Sequence, residues 1–164
     1  CADPLHATRK LSFTTNDELA AQLSGLAREG NWDAVLHAAA LCDFRVERVL
    51  GENGEPLASP KFSTRDGRLQ LVLAPAAKVL PQLRGWFPHA RLVGWKYELA
   101  GARADAFAKA WSQLATARTD ACVLNGAAYG SGFACCTPGS VRSCADTDAL
   151  ADWLARWLEA QAKS

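Results

Sequence analysis

The sequence predicts an α/β domain: a doubly wound, mostly parallel sheet with helices on both faces. Apolar runs of strand length alternate with segments of helical periodicity, and such alternation builds parallel sheets through strand–helix–strand crossovers. The run from Asp33 to Phe44 ends in Ala38, Ala39 and Ala40 and then in Asp43, the pattern of a buried strand that stops at a ligand-facing edge. No internal repeat, low-complexity tract or interdomain linker breaks the pattern, so residues 1–164 read as one domain.

The elements follow in order. Residues 11–14 read as a short strand. Thr15 followed three residues later by Glu18 is a capping box, and Leu19, Leu23 and Leu26 recur behind it at helical spacing until Gly30. Residues 34–41 form the buried strand. The stretch 45–75 changes character and reads as a β-arm or cover segment. Its extended runs are 45–50 and 69–74, with turns at Glu52-Asn53-Gly54 and Arg65-Asp66-Gly67 and a loop at 59–64. A helix over 77–86 tolerates Pro81 only in its first turn. A strand over 91–95, an alanine-rich helix over 102–118 and a buried strand over 120–124 come next. Residues 126–144, rich in Gly, Ser and Cys, read as a loop with room for one short strand. Residues 147–162 form an amphipathic helix with Leu150, Trp153, Leu154, Trp157 and Leu158 on one face.

Composition narrows the function. The chain is 49% hydrophobic and 21% charged with a net charge of +1, ordinary for a globular protein and no case for nucleic acid or an anionic membrane. No apolar run reaches the roughly 20 residues of a membrane helix. The six cysteines include no C-x-x-C pair, and Cys42 and Cys122 fall in or at the end of predicted strands, so they read as reduced thiols of a cytoplasmic protein. His6, His37 and His89 lack metal-ligand spacing; no metal site is expected from them. The chain starts at Cys1 and holds no methionine, which reads as a processed protein or a fragment.

Four segments in order carry a resemblance: Ala38-Ala-Ala-Leu-Cys-Asp43-Phe44, Lys61-Phe-Ser, Leu92-Val-Gly-Trp95-Lys-Tyr-Glu98 and Thr119-Asp-Ala-Cys-Val-Leu-Asn125-Gly. Together they resemble the phosphopantothenate–cysteine ligase family, the C-terminal domain of DNA/pantothenate metabolism flavoproteins, over nearly all of the chain from Leu11 onward. The resemblance implies a Rossmann-like fold and the ligation of 4′-phosphopantothenate to cysteine on the route to coenzyme A. CTP or ATP activates the carboxylate as an acyl-nucleotide, pyrophosphate leaves, and the cysteine amine displaces the nucleoside monophosphate. It also implies Mg²⁺, a homodimer, and no flavin in this chain.

Site residues carry over position by position. His37, Ala38 and Ala39 match a strand end that lies against the nucleotide, and Asp43 the aspartate beside it; read from the residues alone, Asp43 equally well caps a turn. Lys61 matches the catalytic lysine of a cover strand, placed for oxygens where charge develops; read from the residues alone, it is a solvated loop cation. Ala77, Lys78, Val79 and Leu80 match a nucleotide-contacting turn. Trp95 stands where the family often has phenylalanine, either packed on the nucleotide or in the core. Asn125 matches a strand-ending asparagine.

The departures are specific. Gln113 and Ala117 stand where the family has two lysines, and Lys109 and Arg118 are the nearby cations offered in their place. Ala77 and Lys78 replace a usual Pro-Asp. No Gly-rich phosphate loop matches before Leu11, so the expectation is that the family's first strand, loop and helix are missing and that the 164 residues alone are inactive. Two other functions compete: a non-catalytic nucleotide-binding or assembly module, and an NAD(P)-linked oxidoreductase, which has only the fold in its favour.

Overall fold

Four of the five strands in the larger sheet run the same way. The computed structural model describes residues 9–58 and 61–160, with Asp66 described by its backbone only. They divide into two compact units: the described residues up to Leu19 with Leu41–Lys78, and Ala20–Ala40 with the described residues from Val79 onward. Each unit is described below in its own terms. Ser59, Pro60, Cys1, His6 and the end of the helix expected at 147–162 lie outside the described residues.

The second unit holds β1 (Ala34–His37), β5 (Arg91–Tyr97), β6 (Ala121–Asn125), β7 (Phe133–Thr137) and β8 (Ser140–Cys144), in that spatial order. β1, β5 and β6 pair in parallel; β7 is antiparallel to β6 and β8 to β7. The helix α3 (Arg103–Ala117) covers one face, packing Ala106, Ala110 and Leu114 on Cys122, Leu124, Ala134 and Cys136. The helix α4 (Thr147–Glu159) covers the other, with Leu150, Trp153, Leu154 and Trp157 against Val93, Ala121, Val123 and Cys135. Successive residues of β6 alternate between these cores, because side chains alternate along a strand. Leu92, Val93, Val123 and Leu124 are fully buried, each contributing about 1.5–3 kcal/mol. The expected mostly parallel α/β sheet with helices on both faces is what forms.

The first unit carries an antiparallel sheet in the order β3 (Pro56–Leu57), β2 (Phe44–Leu50), β4 (Gln70–Pro75), with a bulge between Val46 and Arg48. This is the β-arm expected around 45–75. The helix α1 (Asn16–Glu29) starts as predicted: Glu18 N–H donates to Thr15 Oγ1 at 3.1 Å, and Thr15 N–H donates back to Glu18 Oε2 at 3.2 Å.

Several expectations fail for local reasons. Residues 11–14 form no strand; Thr14 N–H and Oγ1 both donate to Glu18 Oε2 at 2.7 Å, which folds the segment onto the helix start. β1 stops at His37, because β5 beyond Gly94 pairs only with β6. It is an edge strand among the described residues, with Leu36 44% exposed rather than buried. The helix expected over 77–86 shrinks to a 3₁₀ turn, Leu80–Gln82, opened by Pro81, and the four-residue α2 (Leu83–Trp86) before Pro88. The predicted loop at 126–144 contains the β7–β8 hairpin, turned at Pro138-Gly139, where Gly139 has φ of 78°. Cys42 is exposed in a loop; Cys122, Cys135, Cys136 and Cys144 are buried, and all five are free thiols.

The amino ends of β5 and β6 are tied by one ion pair. Arg84 Nη2 donates to Asp120 Oδ2 at 2.7 Å, and its other nitrogens reach the carbonyls of Arg118, Pro88 and Ala90 at 2.9–3.1 Å. The same Asp120 oxygen accepts Leu92 N–H at 2.7 Å.

Candidate functional site

In the first unit, two loops are drawn together by a residue the sequence reading passed over. Asn16, the first residue of α1, donates through Nδ2 to the Cys42 carbonyl at 2.8 Å and the Ala77 carbonyl at 2.9 Å. Ala76 N–H donates to the Asp43 carbonyl at 2.9 Å, extending the β2–β4 ladder by one rung. This brings Asp43 and Lys78 into an ion pair, with side chains 72% and 62% exposed. The two residues came from different motifs and share one rim. Lys61 lies between β3 and the 3₁₀ turn Thr64–Asp66, exposed.

Of the predicted residues in the second unit, His37 and Asn125 end parallel strands. His37 ends β1, and burial lowers its imidazole pKa, which favours the neutral ring. Ala38 and Ala39 follow it, exposed. Val79 is 1% exposed, so any approach of a ligand there would meet backbone and not its side chain. Leu80 opens the 3₁₀ turn, half-buried. Trp95 packs against the core between the sheet and α4. Asn125 ends β6, and its carbonyl accepts Glu98 N–H at 2.9 Å.

Lys109 and Arg118, offered together as substitute cations, are separated. They sit nine residues apart on α3, roughly 13 Å at 1.5 Å per residue. Lys109 pairs with Glu98 just beyond the carboxyl end of β5. Arg118 caps the other end of α3 with a left-handed φ of 53°, before the amino end of β6. Gln113, in a family lysine position, turns its amide to the Cys122 thiol at 3.2 Å.

Glu98 and Lys96 were outside the predicted set. Glu98 is 8% exposed and takes Lys96 Nζ on Oε1 at 3.2 Å and Lys109 Nζ on Oε2. The Lys109 hydrogen bond holds its carboxyl pKa below the usual range, against the opposing effect of burial. Gly126, at φ of 111°, makes this packing feasible: a Cβ there would come within 2.3 Å of the Glu98 carbonyl oxygen. Among the described residues no three His, Cys, Asp or Glu side chains gather to hold a metal ion. No helix of the described residues is long and apolar enough to cross a membrane.

A mostly parallel α/β sheet with a helix on each face defines a Rossmann-like fold. Solved structures narrow the fold further. The chain superposes on the DNA/pantothenate metabolism flavoprotein from Streptococcus pneumoniae with a TM-score of 0.76 and 15% identity, covering 91% of this chain and 71% of that one. It matches a Cab2 mutant in complex with phosphopantothenate-cysteine at TM-score 0.63 and 22% identity, covering 94% and 55%. The C-terminal domain of the coenzyme A biosynthesis bifunctional protein CoaBC gives 0.65 and 13%, covering 94% and 66%. The fold implied by the sequence resemblance is therefore the observed fold. No family model and no curated protein matches the sequence.

Proposed function

We propose that this chain is a phosphopantothenate–cysteine ligase domain that uses CTP or ATP in coenzyme A biosynthesis. One observation carries the reading. The ordered motifs that resemble that family lie on a fold shared, over 91–94% of the chain, with the pantothenate metabolism flavoprotein, Cab2 and CoaBC structures. In this reading the substrate carboxylate attacks the nucleotide α-phosphorus, pyrophosphate leaves, and the cysteine amine then displaces the nucleoside monophosphate. His37, Ala38, Ala39 and the turn Ala77–Leu80 present backbone to the nucleotide, and Asp43 accepts from its base or ribose. Lys61 supplies positive charge where the anion develops. Mg²⁺ fits as an ion brought by the nucleotide phosphates, since hard cations of this kind keep few protein ligands.

The reading also includes a homodimer. β2 and β4 expose Phe44, Val46, Leu71 and Leu73 at 51–58%, an apolar sheet face of the kind that subunits cover. Full turnover is expected to need the strand, Gly-rich loop and helix that the family carries in front. The test is a coupled assay of the natural gene product with 4′-phosphopantothenate, cysteine, Mg²⁺ and CTP or ATP, reading pyrophosphate release.

A second reading is a nucleotide-binding module without ligase chemistry. The inward-turned Gln113 favours it, because a family lysine is replaced there by an amide engaged with Cys122. Nucleotide binding with no pyrophosphate release would select it.

A further inference from the structure

We propose that Lys96 and Lys109, organised by Glu98, form a binding site for a phosphate-class anion beyond the carboxyl end of β5. The cluster joins β5, the residue that follows it, and the second turn of α3. Exposure is graded through it: the Glu98 side chain is 11% exposed, that of Lys96 35% and that of Lys109 51%. The carboxylate therefore forms the floor, and the two ammonium groups reach solvent. One carboxylate against two ammoniums leaves a net charge of +1. Each ammonium has three donors, and the hydrogen bond to Glu98 uses one, so each keeps donors for a ligand.

The floor is fixed. Glu98 N–H donates to the Asn125 carbonyl at 2.9 Å, and the Glu98 carbonyl accepts Ala128 N–H at 3.0 Å. Gly126 has no side chain to push this backbone aside. α3 begins at Arg103, on the same end of the sheet as Lys109, so the positive end of its dipole adds to the field. Arg103 itself lies over the Tyr129 ring, 4.6 Å from the centroid. Asp105, the acid of that first turn, accepts Ala102 N–H at 3.2 Å.

An isolated structural salt bridge has no need of a second lysine at its rim. Two cations on one buried carboxylate suit a tetrahedral oxyanion that bridges them, because phosphate oxygens can take both ammoniums at once. A nucleotide polyphosphate and a phosphate monoester share this chemistry. For Lys109 the site deepens the proposed ligase reading, but its test stands apart from that reading, since it measures anion binding and not ligation.

Isothermal titration calorimetry of the 164-residue chain tests it, with inorganic pyrophosphate and glycerol phosphate as probes. Saturable binding of at least one probe is expected, and which one binds identifies the source of the anion. Lys96→Met and Lys109→Met should each weaken it by about tenfold or more, the scale of one charge-assisted hydrogen bond. Glu98→Gln removes the competing negative charge and should leave binding intact or tighter. A folded wild-type chain that binds neither probe overturns the proposal, as does binding that both lysine variants leave unchanged. Circular dichroism melts of each variant confirm that a loss of binding is not a loss of fold. If the lysine variants do not fold, Lys96→Gln and Lys109→Gln replace them under the same criteria.

Discussion

Asp43 and Lys78 form an ion pair that solvent reaches from most sides, and such pairs contribute about 0–1 kcal/mol to stability. Asp43→Ala should therefore leave the melting temperature of the unliganded protein nearly unchanged. If Asp43 accepts from the nucleotide, the same change should weaken CTP or ATP binding by about 1–3 kcal/mol, the cost of a lost hydrogen-bond partner. Calorimetry and a thermal melt together read both. A lost melting temperature with unchanged affinity would make Asp43 a structural cap. If Lys61 serves the proposed chemistry, Lys61→Ala should lower turnover by about 10²–10³ with little change in nucleotide affinity, as when one donor to a developing anion is removed. Steady-state kinetics beside a binding titration separates the two, and equal losses would assign Lys61 to ground-state phosphate binding. Glu98 gives a pH signature. Its carboxyl pKa is lowered on folding, so its contribution is present above the unfolded value and is lost as pH falls toward the folded one. Between about pH 5 and pH 3 the wild type should lose stability faster than Glu98→Gln. Parallel melting curves would contradict this. At this scale the sequence exposed Asp43 and Lys78 but not their pairing, because 35 residues separate them. It gave no role to Glu98, whose second cation, Lys109, comes from the following helix, nor to Asn16, whose carbonyl partners at Cys42 and Ala77 lie 26 and 61 residues away.

Elements were legible where one face is apolar and the ends are marked. α1 and α4 carry their caps in sequence: Thr15 and Glu18 at one, Asp146 accepting Ala149 N–H at 2.8 Å at the other. The β7–β8 hairpin was hidden because Gly, Ser and Cys resemble loop composition. Its signal was Pro138-Gly139, a turn pair between residues that face each other as Thr137 and Ser140. The lost strand at 11–14 shows the reverse: the residues have strand character but gain hydrogen bonds by capping α1. The joint between α2 and the sheet rests on Arg84 and Asp120, whose side chains are 18% and 32% exposed. Arg84→Met leaves Asp120 partly buried without its cation and frees three carbonyls. It should cost about 3–5 kcal/mol, seen as a shift in denaturant midpoint. A shift under about 1 kcal/mol would mean that solvent replaces the guanidinium.

At the scale of the molecule, the α/β class was readable because β6 is apolar on both faces and a helix covers each. The division into two compact units was not. The chain crosses between them at Leu19, Ala40 and Lys78 without a change in composition. The central claim is that this chain serves an acid–amino-acid ligation. Its most direct test is pyrophosphate release by the natural gene product, supplied with CTP or ATP, Mg²⁺, 4′-phosphopantothenate and cysteine. The account predicts release that depends on phosphopantothenate and matches, mole for mole, the amide formed with cysteine. Tight nucleotide binding with neither pyrophosphate nor amide produced would contradict it.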